Sequence, residues 1–181
     1  MTDDGSRRIH QEDFAQVLGR MPDRKYDGTA DELVVVARAL LGEEGYFEAV
    51  RRLVFVVICG NHDAHLKNWS LLYPDGINPS WTPLYDQVAT IAWPTIEKEL
   101  GLKLAGTRDA VRIDLGAFER IAAKAHAGKR QTVAVVEEAV DRFRQSWNRE
   151  WETWPLLRGH ADIIREHWTR IPLVRKAGPL A

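Results

Sequence analysis

Nine residues from Gly60 to Asn68, GNHDAHLKN, hold two histidines, an aspartate, a lysine and two asparagines, directly after the apolar run LVFVVIC. Three readings are open from residue types alone: a metal-ligand cluster, a catalytic loop, or a polar turn behind a buried element. A metal centre for hydrolysis needs several ligands, because each ion must be held in a defined shell. Phosphoryl transfer needs fewer groups at fixed spacing. A carboxylate must accept a hydrogen bond from the attacking hydroxyl, and Asp63 could do so. Five residues on, the amide oxygen of Asn68 could reach a magnesium ion on nucleotide phosphates. A second carboxylate must share that ion, and Asp86 in PLYDQVAT stands where it could. His65, two residues after Asp63, could steady the transferred phosphate or the aspartate itself.

The elements that must position these residues can be read from periodicity and punctuation. HQEDFAQVLG predicts a short helix with Glu12 and Asp13 in its first turn, where the helix dipole favours acids. A second helix is expected from about Thr29 to Leu41, with Thr29 and Glu32 as a capping box and Leu33, Val36, Ala37, Leu40 and Leu41 at helical spacing. LVFVVIC alone would suit a buried strand. Read from Tyr46, the apolar positions Phe47, Val50, Leu53, Val54, Val57 and Ile58 share one helical face, and Gly60 and Asn61 end it. WSLLY and WTPLY then read as two strands joined by the turn-rich PDGINPS, and GLKLAG as a further strand. Helices are expected at about 114–127, 131–151 and 156–169. In the second, Val133, Val136, Val140, Phe143, Trp147, Trp151 and Trp154 alternate spacings of three and four, the pattern of an amphipathic core helix. The fold class is mainly α (α+β): a helical bundle with a small inserted β-hairpin.

The bulk numbers set limits. A chain of 181 residues with 45% apolar and 28% charged residues suits one soluble domain, residues 1–181. The net charge of −1 gives no electrostatic reason to expect nucleic acid or membrane as a direct partner. The single cysteine, Cys59, excludes an internal disulfide and reads as a small buried hydrophobe. The N-terminal MTDDGSRRIH has no apolar segment behind its charges, and a cytoplasmic location is expected. Most of the seven tryptophans read as core.

Two resemblances bear on the polar loop. The string GNHD resembles the signature of calcineurin-like metallophosphoesterases. Their further ligands are missing here: His10 is the only upstream histidine, and His126, His160 and His167 stand singly downstream. By contrast, the ordered set RIHQEDF, KYDG, GNHDAHLKNWSLLY, PLYD and ELGLKLAG resembles the C-terminal lobe of HipA-like serine/threonine kinases, the toxins of HipBA-type toxin–antitoxin systems. The resemblance runs from Arg8 to about Ala123, strongest within 8–123 and densest around 60–90.

It implies a kinase-like C-lobe using ATP and Mg2+ to phosphorylate a protein serine, with Asp63 as catalytic base. His65, Leu66, Lys67 and Asn68 would line the nucleotide phosphates, Asn68 and Asp86 would hold magnesium, and Tyr85 would contact the nucleotide. HQEDF would be structural. Substrates in the family are aminoacyl-tRNA synthetases, and a DNA-binding antitoxin restrains the kinase. The family's N-terminal lobe, with its phosphate-covering loop and strand lysine, precedes HQEDF, whereas nine residues precede His10 here. The expectation is therefore an isolated C-lobe whose nucleotide site is completed by an N-lobe polypeptide, or a truncated lobe serving as an interaction module. Its exposed lobe interface would be apolar and prone to homo-oligomerise.

Overall fold

The structure is a computed structural model describing residues 8–93, 95, 98–157 and 159–181; the charged stretch at residues 1–7 lies outside the described residues. HQEDFAQVLG is not one helix. It is a strand, β1 (His10–Asp13), followed by one helical turn, α1 (Phe14–Val17). Asp13 is the pivot: its Oδ1 accepts from Gln16 N at 2.9 Å, and the Gln16 side chain accepts from Asp13 N at 2.9 Å. This reciprocal cap starts the helix at Phe14 and frees the preceding backbone for a sheet.

The long α2 (Ala30–Cys59) begins on the expected Thr29–Glu32 capping box. It kinks at Gly42, whose φ of 71° and ψ of −161° are open to glycine. Ahead of the kink the buried face is Leu33, Val34 and Ala37, whereas Leu40 is exposed. Beyond it, all six apolar positions read from the sequence are buried. Gly60 ends the helix at φ 71°, in the left-handed region. A Cβ there would lie 2.4 Å from Ile91 Cδ1, so glycine is required twice over.

Strand β2 (Ser70–Tyr73) pairs antiparallel with β1 in the register Asp13↔Ser70 to His10↔Tyr73, and with the two-residue β3 (Ser80–Trp81). The sheet order is β1-β2-β3. WTPLY does not continue as a strand: Thr82 N makes the last bond, to Ser70 O, and Pro83 has no N–H to extend the ladder. The hairpin turn is held by Asp75, whose carboxylate accepts from Ile77 N and Asn78 N at 2.9 and 2.7 Å. Those donors pull its pKa down to about 2.

GLKLAG is also not a strand. Lys103 bridges to Thr29, and the chain then reverses at Ala105 and Gly106, both at positive φ, with Leu104 and Thr107 bonded to each other. Its leucines 102 and 104, and Leu100 just before it, are nonetheless core. Helices α3 (Leu115–Lys124), α4 (Lys129–Glu150) and α5 (His160–Arg170) complete the fold. α4 packs on α2 and α3, so that Val50 and Val54 share one core with Phe118, Ile121, Val136 and Val140. The α4 periodicity is that of a core helix: Trp147 is fully buried, and Trp69 and Trp168 are also interior. Cys59 is buried, and burial raises its thiol pKa to about 12, so it is inert. No helix among the described residues is long and apolar enough to cross a membrane.

Candidate functional site

The polar loop is held from below by the end of α2 and from the side by the segment after β3. Arg52, buried on α2, bonds Glu48 at 2.8 Å and Thr82 O at 2.8 Å, and lies over the Trp81 ring. Trp81 Nε1 donates to Gly45 O at 2.9 Å. These contacts fix where the chain leaves the sheet toward Tyr85 and Asp86.

Hydrogen bonds then tie that segment to the start of the loop. Ile91 N and Thr90 Oγ1 donate to Gly60 O at 3.1 and 3.3 Å, and His62 N donates to Thr90 Oγ1 at 2.7 Å. Asn61, 1% exposed, donates from Nδ2 to Asp86 O at 3.1 Å. Its Oδ1 accepts from Asp63 N at 3.1 Å, so one side chain locks the base candidate and the metal candidate together. Asn61 and His62, the letters that suggested a metallophosphoesterase, are the fastening of this loop. Among the described residues, no group of three or more His, Cys, Asp or Glu side chains could hold a metal ion.

Of the residues expected at the site, Asn68 and Asp86 are in direct contact: Asn68 Nδ2 donates to Asp86 Oδ2 at 2.5 Å. Asn68 Oδ1 accepts from His65 N at 2.8 Å, which fixes the amide's orientation. Asp86 sits at φ 56°, a left-handed conformation rare for a non-glycine residue. Asp63 and Asp86 line a cleft of about 160 Å³ with Asn61, Val88, Thr90 and Trp93. A carboxylate beside an amide is a hard-oxygen donor set, which suits magnesium; the carbonyl oxygen of Asn68 keeps a second lone pair beyond its bond to His65.

The other expected residues play varied parts. His65 is buried, its ring edge-on to Tyr26 at 5.2 Å. Burial, reinforced by Lys25, pushes its pKa below the ordinary value, so it is neutral at pH 7. Its Nδ1 is buried with no hydrogen-bond partner among the described residues. Lys67 is exposed. Leu66 faces the core with no exposed surface, and its N–H donates to Lys25 O at 3.1 Å; its side chain braces the loop and does not line the cleft. The Tyr85 hydroxyl is 2.6 Å from Lys67 O and 2.5 Å from Ser70 Oγ, and burial raises its pKa. That phenol pins the loop to the sheet.

Sequence reasoning missed two contributors. In sequence, Asn61 reads as a helix end and as a letter of the metallophosphoesterase string, and neither reading gives it the bonds to Asp63 and Asp86. Tyr26, in KYDG, was given no role, yet its hydroxyl donates to Asp63 Oδ1 from 37 residues away in sequence.

A helical lobe with a small antiparallel sheet, presenting paired carboxylates and an asparagine at the mouth of one cleft, has the architecture of a kinase-like C-terminal lobe. The chain belongs to the HipA-like C-terminal domain family, whose sequence pattern it matches over residues 2–147. It is 36% identical over 169 residues to the Sinorhizobium fredii protein named "Putative kinase Y4dM", covering 93% of this chain and 41% of that protein. A second protein of that organism, "Putative kinase Y4mE", is 32% identical over 127 residues, 67% of this chain and 30% of its own length. The fold matches HipA of Shewanella oneidensis MR-1, from its toxin–antitoxin complex with HipB and operator DNA, with a TM-score of 0.75 at 18% identity. That match covers 95% of this chain and 45% of the other. The chain thus spans less than half the length of these relatives.

Proposed function

We propose that this single domain is the C-terminal lobe of a HipA-type protein serine/threonine kinase, with Asp63 as base and Asn68 and Asp86 as magnesium ligands. The observation that carries the reading is the contact between Asn68 and Asp86, locked through Asn61 to Asp63 across one cleft. In the reaction, a serine hydroxyl oxygen bonds to the γ-phosphorus of ATP as the bond to the bridging β–γ oxygen breaks and ADP departs. Asp63 orients that hydroxyl and takes its proton. Bound magnesium would neutralise the charge on the β- and γ-phosphate oxygens. His65, held neutral, can offer a phosphate a hydrogen bond but no charge, which leaves Lys67 as the cationic contact.

A cleft of about 160 Å³ is smaller than sites that enclose a whole small molecule, roughly 300–1,000 Å³. It suits the phosphates alone, with adenine and the α-phosphate held by a further lobe on the same or another polypeptide. The HipB-bound relative supports an antitoxin as partner, and the family resemblance an aminoacyl-tRNA synthetase as substrate. Calorimetric titration of ATP–Mg2+ against wild type and Asp86→Ala tests the reading. Binding in the millimolar range, lost in the variant, is expected. No binding by the wild type favours an interaction module without kinase activity.

A further inference from the structure

Resting on the kinase reading, we propose that Tyr26 is a positioning residue that clamps the carboxylate of Asp63 for its encounter with the acceptor hydroxyl. An aspartate side chain turns about a stiff χ1 and a broad, soft χ2, so an unheld carboxylate samples many orientations. Here the Tyr26 hydroxyl donates to Asp63 Oδ1. A hydrogen bond to a carboxylate is charge-assisted and among the stronger kinds. With one oxygen engaged, the plane of the group is set and the second oxygen is the one that meets the acceptor.

Tyr26 can act as a clamp because it is itself fixed on several sides. Its carbonyl accepts from Arg108 Nη2 at 3.2 Å, and the same guanidinium bonds Leu100 O and Gly101 O. The preceding carbonyl, Lys25 O, accepts from Leu66 N within the loop, while Lys25 Nζ lies 4.9 Å from the Tyr26 ring centroid. The His65 ring packs edge-on against the phenol. Asp63 is held from behind by Asn61. The tyrosine therefore arrives on an anchored loop and grips the one group whose aim decides in-line attack. A phenol that merely occupied the acceptor's place would need freedom to leave, and this one is tied at its backbone and along its ring.

The test measures ADP release from ATP–Mg2+ by the full chain as wild type, Tyr26→Phe, Asp63→Asn and the double variant. Tyr26→Phe keeps the ring packing and removes only the hydroxyl. The expected result is a fall in kcat of about 10- to 100-fold, the scale of a misplacement near 1 Å, with KM for ATP unchanged. In the Asp63→Asn background the same change should cost nothing further, because the clamp acts only through that carboxylate. An unchanged or raised kcat, or an equal fall in both backgrounds, overturns the proposal. Should wild type and Asp63→Asn release ADP alike, activity of this chain without a further lobe is what has failed. The clamp is then decided by the 13C shift of the Asp63 carboxylate carbon. A shift that moves on Tyr26→Phe, as loss of a hydrogen bond to that carboxylate requires, supports it, and an unchanged shift refutes it.

Discussion

The loop from Gly60 to Asn68 and the stretch from Phe143 to Trp154, the end of α4 and the turn after it, are the two places where this sequence concentrates conspicuous side chains. In the loop, buried polar groups bond to one another and to backbone, and the network opens onto a cleft through Asp63 and Asp86. There, Trp147 of α4 stacks on Trp151 at 6.1 Å and meets Trp154 at 88°, both just past the helix, while its Nε1 donates to Ala181 O. Those rings face each other and the core. The difference is what is left over once internal partners are counted. The aromatic seam spends its chemistry on packing, whereas the loop holds carboxylates at an opening and fixes them from behind.

Substitutions should separate the two regions cleanly. Asp63→Asn should lower ADP release by about 10²- to 10⁴-fold, the contribution of a general base, while leaving the urea midpoint nearly unchanged. Trp147→Ala should do the reverse. It removes a fully buried indole and should lower unfolding free energy by about 3–5 kcal/mol in urea melts. ATP–Mg2+ affinity of the folded protein, measured by calorimetry, should not move. If Trp147→Ala abolished binding in a folded protein, the seam would be part of the site and the contrast would collapse.

Asn61→Ala should fall between these extremes and show both effects. It strips partners from the half-buried Asp63 N–H and the Asp86 carbonyl, a loss of about 1 kcal/mol in stability. Because it uncouples the proposed base from the proposed metal segment, ATP–Mg2+ affinity should weaken in the same variant. A stability loss with unaltered affinity would demote Asn61 to a structural residue only.

How much of this was legible beforehand follows the range of the interactions. The capping box at Thr29, the helix through LVFVVIC and its stop at Gly60 are local, and periodicity and punctuation report them faithfully. The Asp63–Asn68 spacing was visible because both residues sit on one short loop. What stayed hidden depends on partners far along the chain. His10–Asp13 is a strand only because Ser70–Tyr73 lies beside it. Tyr26 reaches Asp63 only because Arg108 and Leu66 anchor its loop. WTPLY alternates like a strand, but Pro83 removes the donor the ladder needs, a signal that was present and outweighed by the pattern. Asn61 reads in sequence as a helix end or a letter of a metal signature, and only the fold reveals that its amide faces the backbone of Asp86.

The smallest expected effect concerns protons. His65 in the loop and His167 in α5 both have pKa values held below the ordinary histidine value, mainly by burial, with Lys25 adding to the effect on His65 and His62 and Arg170 on His167. Asp63 and Asp86 pull His65 the other way without overcoming it. The unfolded chain therefore binds these protons first as pH falls below about 6.5, so stability must decline from neutrality toward the lower folded-state values. The two histidines need not matter equally to function. His167 Nε2 is bonded to Val57 O at 2.8 Å within the helical packing, whereas His65 packs on Tyr26, whose hydroxyl meets Asp63. Urea midpoints between pH 7.5 and 5.5 should drop for the wild type, and less steeply for His65→Gln or His167→Gln. Only His65→Gln should also disturb ATP–Mg2+ binding, because His65 lies on the loop of the proposed site and His167 is bonded to α2 within the helical packing.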